Sequence, residues 1–284
     1  MNVVDAMTPR SEVVTVSLPG TRDDALEYLQ EQAFSSVPVV KMVDGKEEFR
    51  GLVSRDSLIE DPDEDQLAIM MDETVPTTTC TTSVEEAARV MVEQGARRIP
   101  VVDGELEGIV TVTDIVRAIA NGSVGPDVTV ETVAADTVNA THVGTPLTVV
   151  ERELYYAGAP YAIVLDDAAK LAGMVTEVDI IHVAKVVQGE ESTGNSIANQ
   201  DDEWMWEGIK AVGSRYMPTR NVEIPNNPVS EFMTEDVVSI TRRKSIKDAA
   251  QLMISNDIEQ LPLLGGDQLE GIVLDINLLE ALYD

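Results

Sequence analysis

The stretch LEGIVTVTDIVRAI at residues 106–119 contains an apolar strand, a glycine, a threonine and an aspartate in a fixed order. The same order returns as LAGMVTEVDIIHVA at residues 171–184. Two further copies are incomplete: GLVSRDSLI begins at residue 51, and GIVLDINLL begins at residue 271. A strand followed directly by a helix, four times in one chain, predicts an internally repeated fold.

The elements around each copy are also repeated. A helix pattern such as SVEEAARVMVEQG begins at Ser83, which is a good N-cap and has Glu86 at the position that completes a capping box. A short apolar strand, usually containing proline, then precedes each glycine. These strands read SSVPVV (35–40), RRIPVV (97–102), APYAIV (159–164) and EQLPLL (259–264). The order in each repeat is therefore strand, helix, strand, strand, helix, which predicts an α/β fold.

Repeat boundaries follow from the spacing of the four glycines, because the last two lie farther apart than the others. A unit this small buries too little apolar surface to be stable alone, so neighbouring repeats are expected to pair, as 1–122 and 123–284. We predict repeats at 1–62, 63–122, 123–187 and 228–284, with an inserted segment at 188–227.

The composition restricts the function. The chain of 284 residues has 51 acidic and 20 basic residues and a net charge of −31, which predicts a salt-adapted surface of the haloarchaeal kind and argues against direct binding of nucleic acid or anionic membranes. One cysteine, Cys80, and two histidines, His142 and His182, leave little for a metal site, and none is predicted.

No apolar run approaches the ~20 residues that cross a bilayer, and no basic leader with an apolar block opens the sequence. The cytoplasm is therefore the expected location. Paired catalytic carboxylates, a nucleophile–base set and a phosphate-binding P-loop are not recognisable in the sequence, so we predict that the protein is not an enzyme.

The combined features resemble the CBS domain, named after cystathionine beta-synthase, over nearly the whole chain. They are the Met-Thr opening of VVDAMTPRSEVVTV (3–16) and PVSEFMTEDVVSI (228–240), the Val-Pro-Val-Val strand and the Gly-x-x-Thr-x-x-Asp motif. The resemblance implies that two repeats associate through their sheets as a Bateman module, and that two modules form a disc. It also implies clefts between repeats that bind AMP, ADP, ATP or S-adenosylmethionine.

The Thr-x-x-Asp spacing has two interpretations. It can be a helix cap with an acid in the first turn, in which case the glycine only permits close packing. It can also be a ligand site, because a carboxylate at a helix start can accept bonds from ribose hydroxyls, and the free N–H groups there suit phosphate. In CBS proteins the matching Asp holds ribose and the matching Thr lies beside phosphate. The resemblance then implies one competent nucleotide site in each module, with the candidate residues Gly108, Thr111, Asp114, Arg98 and Thr77 for repeat 2 and Gly173, Thr176 and Asp179 for repeat 3.

The two outer copies depart from the motif and are predicted to be weakened sites. In the first, Ser54 keeps a hydroxyl, Ser57 replaces the aspartate, and Asp56 is displaced by one residue. In the fourth, Leu274 replaces the threonine and Asn277 replaces the aspartate.

The sequence contains several candidate cations for a ligand phosphate. Arg97 and Arg98 are adjacent, so one should face the cleft and one should face away, and Arg98 is preferred for the cleft. For the third repeat, Arg242 or Arg243 could supply the cation. His142 could face the cleft or be a structural histidine with its own partners.

The insertion carries both tryptophans of the chain. Trp204, Trp206 and Tyr216 lie on a segment with an approximate helical apolar stripe, after an acidic linker at 188–203. The helix could pack over its own module or could dock on a partner, since Trp and Tyr are enriched at interface hot spots.

Two functions remain open. The protein could be a nucleotide-responsive regulator of an unidentified protein partner, and it could form a homodimer. It could instead be a scaffold that docks on a large assembly, such as the translation machinery, with the nucleotide structural or absent.

Overall fold

The computed structural model describes residues 1–31, 36–54, 57, 64–189 and 219–283. The strands of this part are β1 (Thr8–Pro9), β2 (Val16–Leu18), β3 (Ser36–Val43), β4 (Lys46–Ser54), β5 (Arg98–Asp103), β6 (Glu105–Thr111), β7 (Ala140–His142), β8 (Tyr161–Leu165), β9 (Leu171–Thr176), β10 (Lys185–Gly189), β11 (Thr219–Glu223), β12 (Gln260–Gly265) and β13 (Gln268–Leu274). The helices are α1 (Arg22–Glu31), α2 (Leu67–Met70), α3 (Val84–Gln94), α4 (Val112–Ala120), α5 (Leu147–Ala157), α6 (Glu177–Val183), α7 (Ile246–Asn256) and α8 (Asp275–Glu280).

The chain forms two compact units. The larger contains repeats 1, 2 and 4, and the smaller is built around repeat 3. Their residues are Met1–Asp136, Val238–Gly265 and Glu270–Asp284 for the larger unit, and Thr137–Val237 and Gly266–Leu269 for the smaller. The third repeat shows the predicted order of elements: β7, α5, β8, β9 and α6.

Helix α3 illustrates how local sequence sets each element. Ser83 accepts a hydrogen bond from the Glu86 backbone N–H, and Gly95 ends the helix in the left-handed conformation. The apolar stripe along the helix is buried, as its spacing predicts. The predicted capping box is only half formed, because the Glu86 carboxylate bonds the guanidinium of Arg89 instead of the backbone at Ser83.

The opening segments of repeats 1 and 2 are exchanged. Strand β1 pairs with β6, so that Thr8 lies opposite Ile109 in the sheet of repeat 2. In the reverse direction, Asp72 forms a bridge to Leu52 of β4, in the sheet of repeat 1. Each repeat therefore completes the sheet of the other, and this joins the first two repeats within the larger unit.

The same exchange recurs in each unit for the later repeats. In the larger unit, Ala135 from the opening of repeat 3 bridges to Ile272 of β13. In the smaller unit, Thr234 from the opening of repeat 4 bridges to Met174 of β9. With the predicted boundaries at 123 and 228, the opening segment of repeat 3 therefore lies on the sheet of repeat 4, and that of repeat 4 lies on the sheet of repeat 3.

A single apolar core lies between the helices of repeats 2 and 4 in the larger unit. Helices α3 and α4 pack against α7 and α8, and their buried faces carry mainly alanine, valine, isoleucine and methionine. Repeat 1 has its own smaller core beneath β2, β3 and β4. The sharing of one core by repeats 2 and 4 is not apparent from the sequence, which indicates only pairing between neighbours.

Part of the insertion is described. Strand β10 pairs antiparallel with β11, with Lys185 opposite Glu223 and Gly189 opposite Thr219. The predicted acidic linker therefore begins within a strand. Trp204, Trp206 and Tyr216 lie outside the described residues, and the predicted helix there stays a prediction.

Candidate functional site

Thr111 and Asp114 form a capping box at the start of α4. The Asp114 Oδ2 atom accepts hydrogen bonds from the Thr111 backbone N–H at 3.0 Å and from its hydroxyl at 2.8 Å. In return, the Asp114 N–H donates to Thr111 Oγ1 at 3.2 Å. The helix-cap interpretation of the motif is therefore observed, and it holds the carboxylate in one orientation.

The second oxygen of Asp114 is used differently. Oδ1 accepts a hydrogen bond from Arg117 Nη1 at 3.0 Å. The Asp114 side chain is only 9% exposed, whereas that of Arg117 is 54% exposed. An exposed arginine can swing into solvent at little cost, so Oδ1 is the atom of this carboxylate that a ligand could reach. Arg117 was not among the residues predicted from the sequence, although the Asp-x-x-Arg spacing on one helix face indicates such a pair.

Thr176 and Asp179 repeat this geometry in the smaller unit. Asp179 Oδ2 accepts bonds from the Thr176 backbone N–H and hydroxyl, both at 2.8 Å. Within the described part of the chain, Asp179 Oδ1 accepts no hydrogen bond. His182 stands three residues later, at the position that Arg117 has after Asp114, and its side chain is exposed.

The outer copies keep the cap and lose the carboxylate. Ser57 Oγ accepts from the Ser54 backbone N–H at 3.2 Å and lies 2.8 Å from Ser54 Oγ. Asp56 lies outside the described residues. In the fourth copy, Asn277 Oδ1 accepts from the Leu274 backbone N–H at 3.0 Å, while the leucine has no acceptor to return the bond.

The motif glycines lie against the exchanged opening segments. A Cβ atom added at Gly108 would lie 2.4 Å from the Thr8 carbonyl oxygen, and one at Gly173 would lie 2.8 Å from that of Thr234. Real Cβ atoms do not approach backbone oxygens so closely. Close packing therefore accounts for both glycines.

The two adjacent arginines point in opposite directions. Arg97 donates to both carboxylate oxygens of Asp275, at 3.2 and 2.6 Å, and also pairs with Glu259 at 3.0 Å. Burial lowers the pKa of Arg97, but the bonds to these two acids outweigh it, so the net shift is upward. Arg98 instead donates to the Ser36 carbonyl oxygen of repeat 1 at 3.4 Å. The expected alternation is thus found, with Arg98 on the side of repeat 1.

Strand register identifies the position that matches Arg98 in the other repeats. Arg98 lies opposite Thr111, just as Ser36 lies opposite Ser54 and Tyr161 lies opposite Thr176. The basic side chain of repeat 2 is therefore replaced by a serine in repeat 1 and by a tyrosine in repeat 3.

Thr77 and His142 are the next two residues that the sequence suggested for the cleft. Thr77 is exposed and directly precedes Thr78, which pairs in parallel with Val101 of β5. His142 contacts Asp167 at 2.9 Å and accepts the Gly144 N–H, as a structural histidine would.

Of the two arginines considered for the third repeat, one is already paired. Arg242 bonds Asp136 at 2.6 Å and the Glu270 carbonyl oxygen. Arg243 is exposed and forms no ion pair with another described residue. Both partners of Arg242 belong to the larger unit.

The described residues contain no cluster of three or more His, Cys, Asp or Glu side chains that could hold a metal ion. No helix among them is both long and apolar enough to cross a membrane.

Comparison with known proteins identifies related chains. Uncharacterized protein MJ1404 of Methanocaldococcus jannaschii is 25% identical over 278 residues, covering 96% of this chain and 60% of that protein. This chain therefore spans only 60% of the length of that relative.

Solved structures match over the full length. The crystal structure of an uncharacterized conserved protein from Pyrococcus horikoshii has a TM-score of 0.70 and 26% identity, covering 99% of this chain and 100% of that one. Protein MJ1225 of Methanocaldococcus jannaschii, described as a proposed archaeal homologue of γ-AMPK, has a TM-score of 0.67 and 19% identity, covering 99% of each chain.

The model of the CBS domain matches residues 3–63, 66–121 and 229–284. The predicted α/β repeat fold is confirmed by these matches and by the full-length structural likeness. Because the three matched segments together make up more than half of the sequence, the chain belongs to the CBS-domain family.

Proposed function

We propose that this CBS-domain protein is a non-catalytic regulator that binds an adenosine-containing ligand between repeats 1 and 2 and thereby changes its affinity for a protein partner. AMP, ADP, ATP and S-adenosylmethionine are the candidate ligands. The observation that carries the proposal is the state of Asp114, which is a buried carboxylate with one oxygen fixed in a capping box and the other bonded, among the described residues, to an exposed arginine.

The hydrogen-bonding capacity of Asp114 suits a ribose. A carboxylate oxygen has two acceptor sites, and both sites of Oδ2 are filled by Thr111. Oδ1 carries one bond from Arg117 and can accept two ribose hydroxyls once that arginine moves out. Asp179 offers the same atom in repeat 3, so we assign it a second ligand of the same class.

Arg98 is the cation that we assign to the ligand phosphate. It begins strand β5 on the side of repeat 1, while the preceding Arg97 holds Asp275 at the start of α8 in repeat 4. A ligand that displaces the start of β5 would therefore also displace the first turn of α8. A ligand that stabilises one of two such positions more than the other changes the affinity for a partner.

Isothermal titration calorimetry in about 2 M KCl, a concentration that screens the acidic surface, tests the proposal. AMP, ADP, ATP and S-adenosylmethionine are each titrated into the wild type, Asp114→Asn and Asp179→Asn. Saturable binding of at least one ligand is expected, with the affinity reduced roughly tenfold or more by each substitution at its own site, because a charge-assisted bond is lost.

Asp166→Asn is the matched control, since Asp166 caps a turn in repeat 3 outside both motifs. It should bind like the wild type. Absence of binding by every adenosine ligand, or equal affinities in all variants, would refute the proposal.

A further inference from the structure

Exposed apolar side chains are concentrated on the two helices of repeat 3. In the described part of the chain, eight large apolar side chains are exposed, and four of them lie on α5 and α6, which pack against each other. These four are Val149, Tyr155, Tyr156 and Val178, and Tyr156 is 76% exposed. Single exposed apolar residues are common on protein surfaces, but a group of them on one pair of helices indicates an interaction surface.

Helix α3 of repeat 2 shows what the equivalent surface carries elsewhere in the chain. Helices α3 and α5 each have 11 residues, and each is followed by a glycine in the left-handed conformation, so their positions match one by one. On α3, Arg89 pairs with Glu86 on one side and with Glu93 on the other. Val149 and Tyr156 stand at the positions of these two glutamates on α5.

Helix α7 of repeat 4 is also polar at the two positions. It has 11 residues as well, and Asp248 and Ser255 match Val149 and Tyr156. The central arginine is retained on α5 as Arg152. These three residues of α5 are spaced by three and four positions and point away from the buried side of the helix, and we call them the outward face of α5. Repeat 3 has therefore exchanged a polar helix face for an apolar and aromatic one.

Both ends of the segment 190–218 are attached beside this helix, within the smaller unit. Strand β10 follows directly after α6, and its last residue, Gly189, lies opposite Thr219. After β11 the chain returns to the first turn of α5, where the Thr148 hydroxyl donates to Asn226 Oδ1 at 2.9 Å. A segment of 29 residues that leaves and returns at one place can extend about 45 Å from it, which exceeds the ~16 Å length of α5.

We propose that segment 190–218 docks on the outward face of α5 and that its aromatic side chains cover Val149 and Tyr156. The segment carries Trp204 and Trp206, the two tryptophans of the chain, and contact between aromatic and apolar side chains is not weakened by salt as surface ion pairs are. Attachment at both ends gives the segment a higher effective concentration at this face than a free partner would have. The docking does not require the adenosine ligand, because the outward face lies outside the Thr-x-x-Asp motif.

Tryptophan fluorescence tests the docking, because the emission comes only from this segment. The double variant Val149→Glu/Tyr156→Glu introduces the residues that α3 has at these positions, so the helix should still form, and the new charges should displace the segment. We expect its emission to shift to longer wavelength and its quenching by acrylamide to increase. Tyr156→Ser, which introduces the residue of α7, should produce a smaller shift in the same direction.

Ile69→Glu is the matched control, because Ile69 is an exposed apolar residue of the larger unit, and it should leave the emission unchanged. Circular dichroism verifies that each variant keeps its helices. Identical emission from the wild type and the double variant, or an equal shift in Ile69→Glu, would overturn the proposal. A shift of the wild-type emission to longer wavelength on dilution would overturn it too, because the segment would then dock on a second copy of the chain.

Discussion

A single buried hydroxyl in repeat 3 has no evident structural use. Thr141 is 8% exposed, and its Oγ1 forms no hydrogen bond with any other described residue. The strand pairings align it with Val16 of repeat 1 and Ile240 of repeat 4, both of which are buried. Repeats 1 and 4 thus place an apolar side chain where repeat 3 has a hydroxyl.

Thr141→Val should therefore stabilise the protein by about 1 kcal/mol, because it removes an unsatisfied donor at almost constant volume. Chemical denaturation monitored by circular dichroism measures the difference. The reverse change, Val16→Thr, should destabilise by a similar or larger amount. A less stable Thr141→Val protein would show that the hydroxyl has a partner.

The ion pair of Arg10 and Glu47 should give repeat 1 a specific acid sensitivity. Arg10 donates to both oxygens of Glu47, at 2.5 and 2.6 Å. The hydrogen bond from Arg10 lowers the pKa of Glu47 below its ordinary value of 4.5, against an opposing effect of burial. A lowered folded-state pKa stabilises the fold above the ordinary value, and this stabilisation is lost as the pH falls through the lower value.

Glu47→Gln should cost about 1 kcal/mol of unfolding free energy at pH 7, and the difference from the wild type should shrink towards zero as the pH falls below the folded-state pKa. Urea unfolding between neutral and acidic pH measures both. Glu48→Gln is the control, because the pair that Glu48 forms with Arg50 is exposed, so the substitution should cost less. A difference that stays constant with pH would contradict the assignment.

Residue chemistry within one helix turn was largely predictable from the sequence. The Thr-x-x-Asp spacing correctly indicates the caps at Asp114 and Asp179, since both partners are local. The Ser83 prediction was only half correct, because Glu86 has a competing arginine three residues later on the same helix face. Short-range spacing identifies possible partners but does not rank them.

At the scale of elements, the motif glycines are explained by the exchange of opening segments between repeats. The sequence shows a glycine in each of these apolar strands. The pairing of β1 with β6, however, joins residues about a hundred positions apart. Local pattern carries no information on such pairing, so the exchange could not be predicted. It explains why Gly108 is needed without invoking a ligand.

Gly108→Ala should destabilise the protein by about 1–3 kcal/mol, because the new Cβ must push the Thr8 carbonyl away and disturb the β1–β6 pairing. Thermal or urea unfolding measures the loss. Gly144→Ala is a suitable control, because its Cβ would lie 3.3 Å from an exposed His142 side chain and should change stability by less than about 0.5 kcal/mol. Equal effects of the two changes would argue against the exchange.

At the scale of the whole molecule, the α/β repeat architecture was predictable and the shared core was not. Glycine spacing and strand composition gave four repeats. The packing of α3 and α4 on α7 and α8 depends on how separate apolar faces meet, and every repeat presents such a face. The ion pair of Arg97 with Asp275 lies at this junction of repeats 2 and 4, where Asp275 is only 4% exposed.

Arg97→Met should therefore destabilise the larger unit by about 1–3 kcal/mol, because it leaves the buried Asp275 carboxylate without its cation. Because the arginine is partly exposed, we expect a loss of stability nearer the lower end of that range. Urea unfolding in high salt measures the change. Arg243→Met, at an exposed arginine, should change stability by less than about 0.5 kcal/mol, and comparable losses in both variants would contradict the role of the pair.

A crystal structure of the protein with AMP would show whether Asp114 Oδ1 binds the ligand. We predict a ribose hydroxyl within about 3.2 Å of Oδ1, with Arg117 displaced and Oδ2 still bonded to Thr111. AMP bound away from Asp114, with the pair to Arg117 intact, would contradict the account.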